Sequence, residues 1–154
     1  MLRIAAVDTK RDVGIARTLF LEYQRALDVD LCFQGFEAEL ASLPGAYAPP
    51  TGCLLLAFLD GDPIGCVALQ RVSDTRGEMK RLYVRPSARG TGVGRILVDR
   101  VLEAAKAIGY SEVVLDTLPT MIEAQRLYDQ LGFREIEAYR PNPISGTRYL
   151  GKHL

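Results

Sequence analysis

The sequence predicts an α/β fold in one domain over residues 1–154, with a central, mostly antiparallel mixed sheet, one locally parallel strand pair and four flanking helices. Three observations carry that reading. Cys53 to Asp60 and Pro63 to Val72 are strand-like runs around Asp60-Gly61, a dipeptide suited to a two-residue hairpin turn. From Val93 onward, apolar residues fall at Val93, Ile96, Leu97, Val101, Leu102, Ala105 and Ile108, the stripe of an amphipathic helix. That helix lies between the strand-like segments Met79–Val84 and Glu112–Thr117, and such a crossover is right-handed and leaves its two strands parallel.

The remaining elements follow in order. Leu2 to Val7 is a short apolar strand, and Thr9 is placed to cap a helix with Val13, Ala16, Leu19, Phe20, Tyr23 and Leu27 on one face. A shorter helix is expected near Phe36 to Leu43, followed by a stiff loop, Pro44-Gly45-Ala46-Tyr47-Ala48-Pro49-Pro50. With Leu59 facing Asp62, the hairpin register sets Leu55 opposite Cys66 and Cys53 opposite Ala68. Gly109 is expected to close the long helix. Thr120-Met121-Ile122-Glu123 reads as a capping box for a fourth helix with Ala124, Leu127, Tyr128 and Leu131 inward. Arg134 to Tyr139 and Thr147 to Leu154 are expected as the last two strands.

Between strand and long helix lies Arg89-Gly90-Thr91-Gly92-Val93-Gly94-Arg95. A glycine-rich turn entering a helix exposes backbone N–H groups at the positive end of the helix dipole, where an anion is stabilised. The first acid in this helix is Asp99, while Arg89 and Arg95 add cations to an already positive end. A polyanion such as a pyrophosphate held between them resolves that repulsion; a solvated arginine pair on a tight turn is the plainer reading. A P-loop requires Lys-Ser/Thr after the last glycine, and a dinucleotide fingerprint requires G-x-G-x-x-G; neither pattern is present.

The segment Arg89-x-x-Gly92-x-Gly94 resembles the coenzyme A signature of the GCN5-related N-acetyltransferase (GNAT) family. The predicted order of strands and helices is similar to that family's, and Ala124-x-x-x-Tyr128-x-x-x-Gly132-Phe133 matches a second family motif. The resemblance implies the GNAT fold, acetyl-CoA as cofactor, and splaying of the parallel pair so that the pantetheine arm inserts like a strand. It implies cofactor contacts from Leu82, Tyr83, Val84, Arg89, Gly90, Thr91, Gly92, Val93, Gly94, Arg95, Thr117 and Ala124, with a backbone N–H at Leu82–Val84 for the acetyl carbonyl. Met121 departs from the asparagine common in the family, which leaves one cofactor hydrogen bond absent or supplied by Thr120.

Transfer to an amine requires a base and a proton for the departing thiolate, since at a reference pKa of about 10.4 only about one lysine-like amine in a thousand is free at neutral pH. The resemblance implies Tyr128 as the acid; by its position on an apolar helix face it can equally fill core. It implies Glu78 as the base, at the start of a charged strand whose residues suit a cleft; a rim carboxylate paired to Lys80 or Arg81 is the alternative. For the acceptor, Tyr23, Phe33, Gln34, Tyr47, Arg81, Tyr139 and Arg140 combine aromatics with cations, which suits a small amine that also carries a carboxylate.

Composition bounds the rest. Nineteen basic and nineteen acidic residues balance to zero, so no nucleic-acid partner is expected. No apolar run is long enough to span a bilayer and the N-terminus does not read as a signal peptide, so the expectation is a cytoplasmic protein without a membrane partner. Cys32, Cys53 and Cys66 fit reduced thiols, and with His153 as the one histidine no metal is expected. The expected reading is an acetyl-CoA-dependent N-acetyltransferase acting on a small-molecule amine, compatible with a homodimer. The alternative is a non-catalytic acyl-CoA-binding sensor or regulatory module.

Overall fold

The computed structural model describes residues 1–27, 31 and 35–154. In chain order the elements are β1 (Leu2–Ala6), α1 (Lys10–Leu27), α2 (Phe36–Ser42), β2 (Cys53–Leu59), β3 (Asp62–Arg71), β4 (Arg76–Val84), α3 (Val93–Ile108), β5 (Glu112–Thr117), α4 (Ile122–Gln130), β6 (Arg134–Glu135) and β7 (Arg148–His153). The strands form one sheet in the order β1-β2-β3-β4-β5-β7-β6. Every neighbouring pair is antiparallel except β4 and β5.

Period-two alternation assigns the two faces. Leu54, Leu56, Phe58, Cys66 and Ala68 pack against Ala16, Leu19 and Phe20 of α1 and Phe36 of α2. The intervening Ala57, Val67, Leu69 and Met79 pack against Val93, Leu97, Val98 and Val101 of α3 and Tyr128 of α4. Thr9 caps α1 through its hydroxyl, which accepts from the Asp12 N–H at 3.1 Å. Gly109 ends α3 at φ 113° with its N–H on the Ala105 carbonyl. Asp60 and Gly61, at φ 51° and 87°, make the hairpin turn that their pairing in sequence predicts.

Three local expectations are corrected. The β2–β3 register begins at Leu59–Asp62 but slips at a bulge between Ala57 and Phe58, so Cys66 faces Leu56 and Cys53 faces Leu69. The capping box does not form: Met121 is the N-cap of α4 and makes no side-chain cap bond. The expected strand to Tyr139 stops at Glu135, because the chain beyond it turns to bring Tyr139 and Arg140 onto the Glu78 carboxylate.

Two irregularities make the site. Pairing between β4 and β5 runs from Arg76–Glu112 to Glu78–Val114, beyond which the two strands separate. Just beyond that pairing β4 bulges: Tyr83 faces Cys66 and Lys80 faces Ala68, leaving Arg81 and Leu82 opposite Val67, with Arg81 at φ 62°. The β5-facing edge of β4 past Glu78 therefore has no strand partner among the described residues, and its backbone N–H groups open onto the gap.

Candidate active site

A groove of about 920 Å³ runs from the splay to the start of α3. Leu82, Tyr83 and Val84 form one side, Arg89, Gly90, Gly92, Val93, Gly94 and Arg95 the end, and Ala124 and Leu127 of α4 the other side. The glycine-rich turn folds as its sequence requires. Gly90 and Gly92 sit at φ 79° and 86°, a region where a side chain is unfavourable, and Gly92 is the N-cap of α3 with no side-chain cap bond. The first-turn N–H groups of α3 are thus left for a ligand, and no acid stands in that turn.

The groove suits the cofactor that the turn implies. A Cβ built on Gly94 would come within 3.7 Å of Leu127 and 3.8 Å of Val84, so glycine keeps that narrow passage open. Arg89 lies over the Tyr83 ring and donates to the Val84 carbonyl at 3.0 Å, which stations its guanidinium at the groove. Thr91 turns away and donates to the Ala88 carbonyl, and Thr117 is buried, donating to the Met121 sulfur at 3.8 Å; neither lines the groove. Thr120 and Met121 do line it.

A second, narrower pocket meets the groove at the splay and shares Tyr23, Leu27, Leu82 and Met121 with it. Tyr128 lines this pocket from α4, Lys80 and Arg81 from β4, Asp116 from β5, and Asn142 from the segment before β7. Tyr128 is 4% exposed, and burial pushes its phenol above the ordinary value, so it keeps its proton at neutral pH. Asn142 donates to Asp116 at 3.3 Å. Lys80 and Asp116 line this pocket although neither is among the acceptor residues expected from the sequence. A carboxylate directly after the apolar run Val113-Val114-Leu115, Asp116, is the available signal.

Of the other expected residues, Arg81 reaches the pocket but is already paired, and the rest fall elsewhere. Glu78 does not face a cleft: it is 0% exposed, accepts from Gln70 at 2.8 Å, Tyr139 at 2.6 Å and Arg140 at 2.6 Å, and lines neither cavity. Its ionic partner is Arg140, not Lys80 or Arg81. Arg81 is held by Glu39 through two hydrogen bonds of 2.9 and 2.8 Å. Tyr47 is core, edge-on to Phe20, and Tyr139 stacks edge-on to Tyr149; neither reaches the pocket. Phe33, Gln34 and Cys32 lie outside the described residues.

A groove at a splayed parallel pair, an uncapped glycine-rich helix start and a buried tyrosine thus meet at one place in the fold. Residues 13–133 match the acetyltransferase (GNAT) family. The chain belongs to that family. As a GNAT acetyltransferase it is an enzyme, and its cofactor is acetyl-CoA. It is 40% identical to an uncharacterised N-acetyltransferase of Schizosaccharomyces pombe over 97% of this chain and 93% of that one. It is 35% identical to the N-acetylaspartate synthetase of Danio rerio over 74% of this chain and 41% of that protein. A solved acetyltransferase of Streptococcus agalactiae shares the fold at a TM-score of 0.83 and 22% identity, covering 99% of this chain and 98% of that one. Among the described residues, no helix is long and apolar enough to cross a membrane.

Proposed function

We propose that this GNAT enzyme acetylates the amine of a small molecule that also carries a carboxylate, by direct attack while both substrates are bound. The observation that carries the reading is the pocket beside the groove, where Lys80 and Arg81 on one wall face Asp116 on another, with Tyr128 completing it. Likeness to an N-acetylaspartate synthetase, a protein named for a carboxylated amine, supports it. Bound acetyl-CoA supplies an acyl thioester, and its sulfur needs a proton once the acyl group has left. Tyr128 holds that proton, and its buried phenol does not lose it to solvent near neutrality. A β4 backbone N–H between Leu82 and Val84 receives the carbonyl oxygen.

The amine arrives mostly as an ammonium and sheds a proton before it attacks. Asp116, on the pocket wall, is the carboxylate better placed to take it through water. A base role for Glu78 would run through Tyr139 or Arg140, its hydrogen-bond partners. Amide replacements separate the two. Asp116→Asn is expected to lower turnover most at low pH, with recovery as rising alkalinity frees the amine. A parental pH–rate profile in Asp116→Asn together with that behaviour in Glu78→Gln would move the base to Glu78.

The acceptor class is checked by competition, with amino acids and small carboxylated amines set against simple amines and basic peptides, and thiol release from acetyl-CoA as readout. Carboxylated amines are expected to win. Preference for basic peptides, or equal rates with and without the carboxylate, would remove this acceptor class.

A further inference from the structure

The arginines nearest the pocket are already answered by carboxylates: Arg81 by Glu39 and Arg140 by Glu78. Lys80 is not. It is partly buried, lines the pocket, and makes no hydrogen bond or ion pair among the described residues. A desolvated ammonium without a partner is costly, and an anion supplied by a ligand in the pocket would offset that cost. Simple strand alternation would send Lys80 and Arg81 to opposite faces, but the bulge at Arg81 lets both line the pocket. Across the splay, Asp116 brings a carboxylate to the same space, steadied by Asn142. One wall is thus cationic and the other anionic, a complement to a small zwitterion.

We propose that Lys80 selects the acceptor by receiving its carboxylate, while Asp116 faces the ammonium that will become the nucleophile. This rests on the carboxylated-amine reading above, to which it assigns a specificity-determining residue.

The charged and titratable groups around Lys80 come from every element packed there. They are Glu78 and Arg81 on β4, Glu39 on α2, Asp116 on β5, Arg140 after β6, Tyr23 on α1 and Tyr128 on α4. Burial first, and then the Arg81 charge, outweigh the carboxylates and bring Lys80 down to about 8. Lys80 is therefore a cation below that pH and neutral above it, so its grip on a carboxylate weakens as pH rises through about 8.

The test uses the full chain, saturating acetyl-CoA and matched acceptor pairs of which only one member carries a carboxylate: β-alanine with ethylamine, 4-aminobutyrate with propylamine, and L-phenylalanine with phenethylamine. In the parent, the acid of a productive pair is expected to be preferred, and its KM to climb above pH 8 relative to that of its partner. Lys80→Met is expected to reduce the preference about ten- to a hundred-fold, the usual worth of a hydrogen bond to a charged group, with the loss in the KM of the acid. Lys80→Arg should keep the preference and remove its decline above pH 8, since arginine does not deprotonate there. Acetyl-CoA binding by calorimetry reports whether each variant is folded. If the parent has no preference, the acceptor reading itself falls. If the parent has one and Lys80→Met retains it, or the parental preference is flat across pH 8, only the role of Lys80 falls. The pH comparison needs no variant, so a misfolded Lys80→Met still leaves a decisive measurement.

Discussion

Tyr128→Phe is expected to give a folded protein whose turnover drops about a hundred- to ten-thousand-fold, the range usual for loss of a positioned proton donor. The change removes one oxygen and leaves the ring. That ring packs 5.6 Å from Phe133 in a cluster with residues of the sheet and α3, and phenylalanine makes the same contacts. No hydrogen bond of the Tyr128 hydroxyl is broken among the described residues, so no buried partner is orphaned. The melting temperature should therefore stay close to that of the parent, and calorimetric affinity for acetyl-CoA should change little. Burial raises the Tyr128 pKa, so the parent's alkaline limb should show no loss of this acid below the ordinary phenol value of about 10. Single-turnover kinetics isolates the chemical step. An unchanged single-turnover rate would return Tyr128 to the core as a packing residue.

What could be read in the sequence divides along the same line as the site. The glycine-rich end of the groove is local in sequence: Arg89 to Arg95 form one turn, and the glycine spacing and missing first-turn acid point to an anion without tertiary information. The strand and helix order was legible because each long element carries an unbroken apolar period, as α3 does over Val93–Ile108. The pocket proposed for the acceptor is assembled from five separate segments, with Tyr23, Lys80, Asp116, Tyr128 and Asn142 brought together where β4 and β5 part after Glu78. Nothing in the residues around Glu78 announces that two of its donors lie 61 and 62 positions downstream, at Tyr139 and Arg140. Bulges were equally silent. Phe58 and Arg81 are ordinary strand residues by composition, yet the first shifts a hairpin register and the second redirects two cations.

Gly94→Val is expected to weaken acetyl-CoA binding more than a hundredfold while leaving the fold intact. Gly94 has ordinary helical backbone in the first turn of α3, unlike Gly92 at φ 86°, so a side chain there adds no left-handed strain. Valine is also a somewhat better helix residue than glycine, which works against any loss of stability. The added Cβ would only touch Leu127 and Val84, at 3.7 and 3.8 Å, but the two methyl groups beyond it would stand in the passage between β4 and α4. A pyrophosphate then cannot approach the first-turn N–H groups closely. Losing two charge-assisted hydrogen bonds, at about 1.5–3 kcal/mol each, corresponds to a factor of a hundred or more. Calorimetry with acetyl-CoA measures this directly, without an acceptor and without turnover. Thermal denaturation gives a second readout: acetyl-CoA should raise the parent's melting temperature by mass action, and should raise that of Gly94→Val far less at the same concentration. If the variant binds acetyl-CoA as tightly as the parent, the pyrophosphate is held somewhere other than the start of α3.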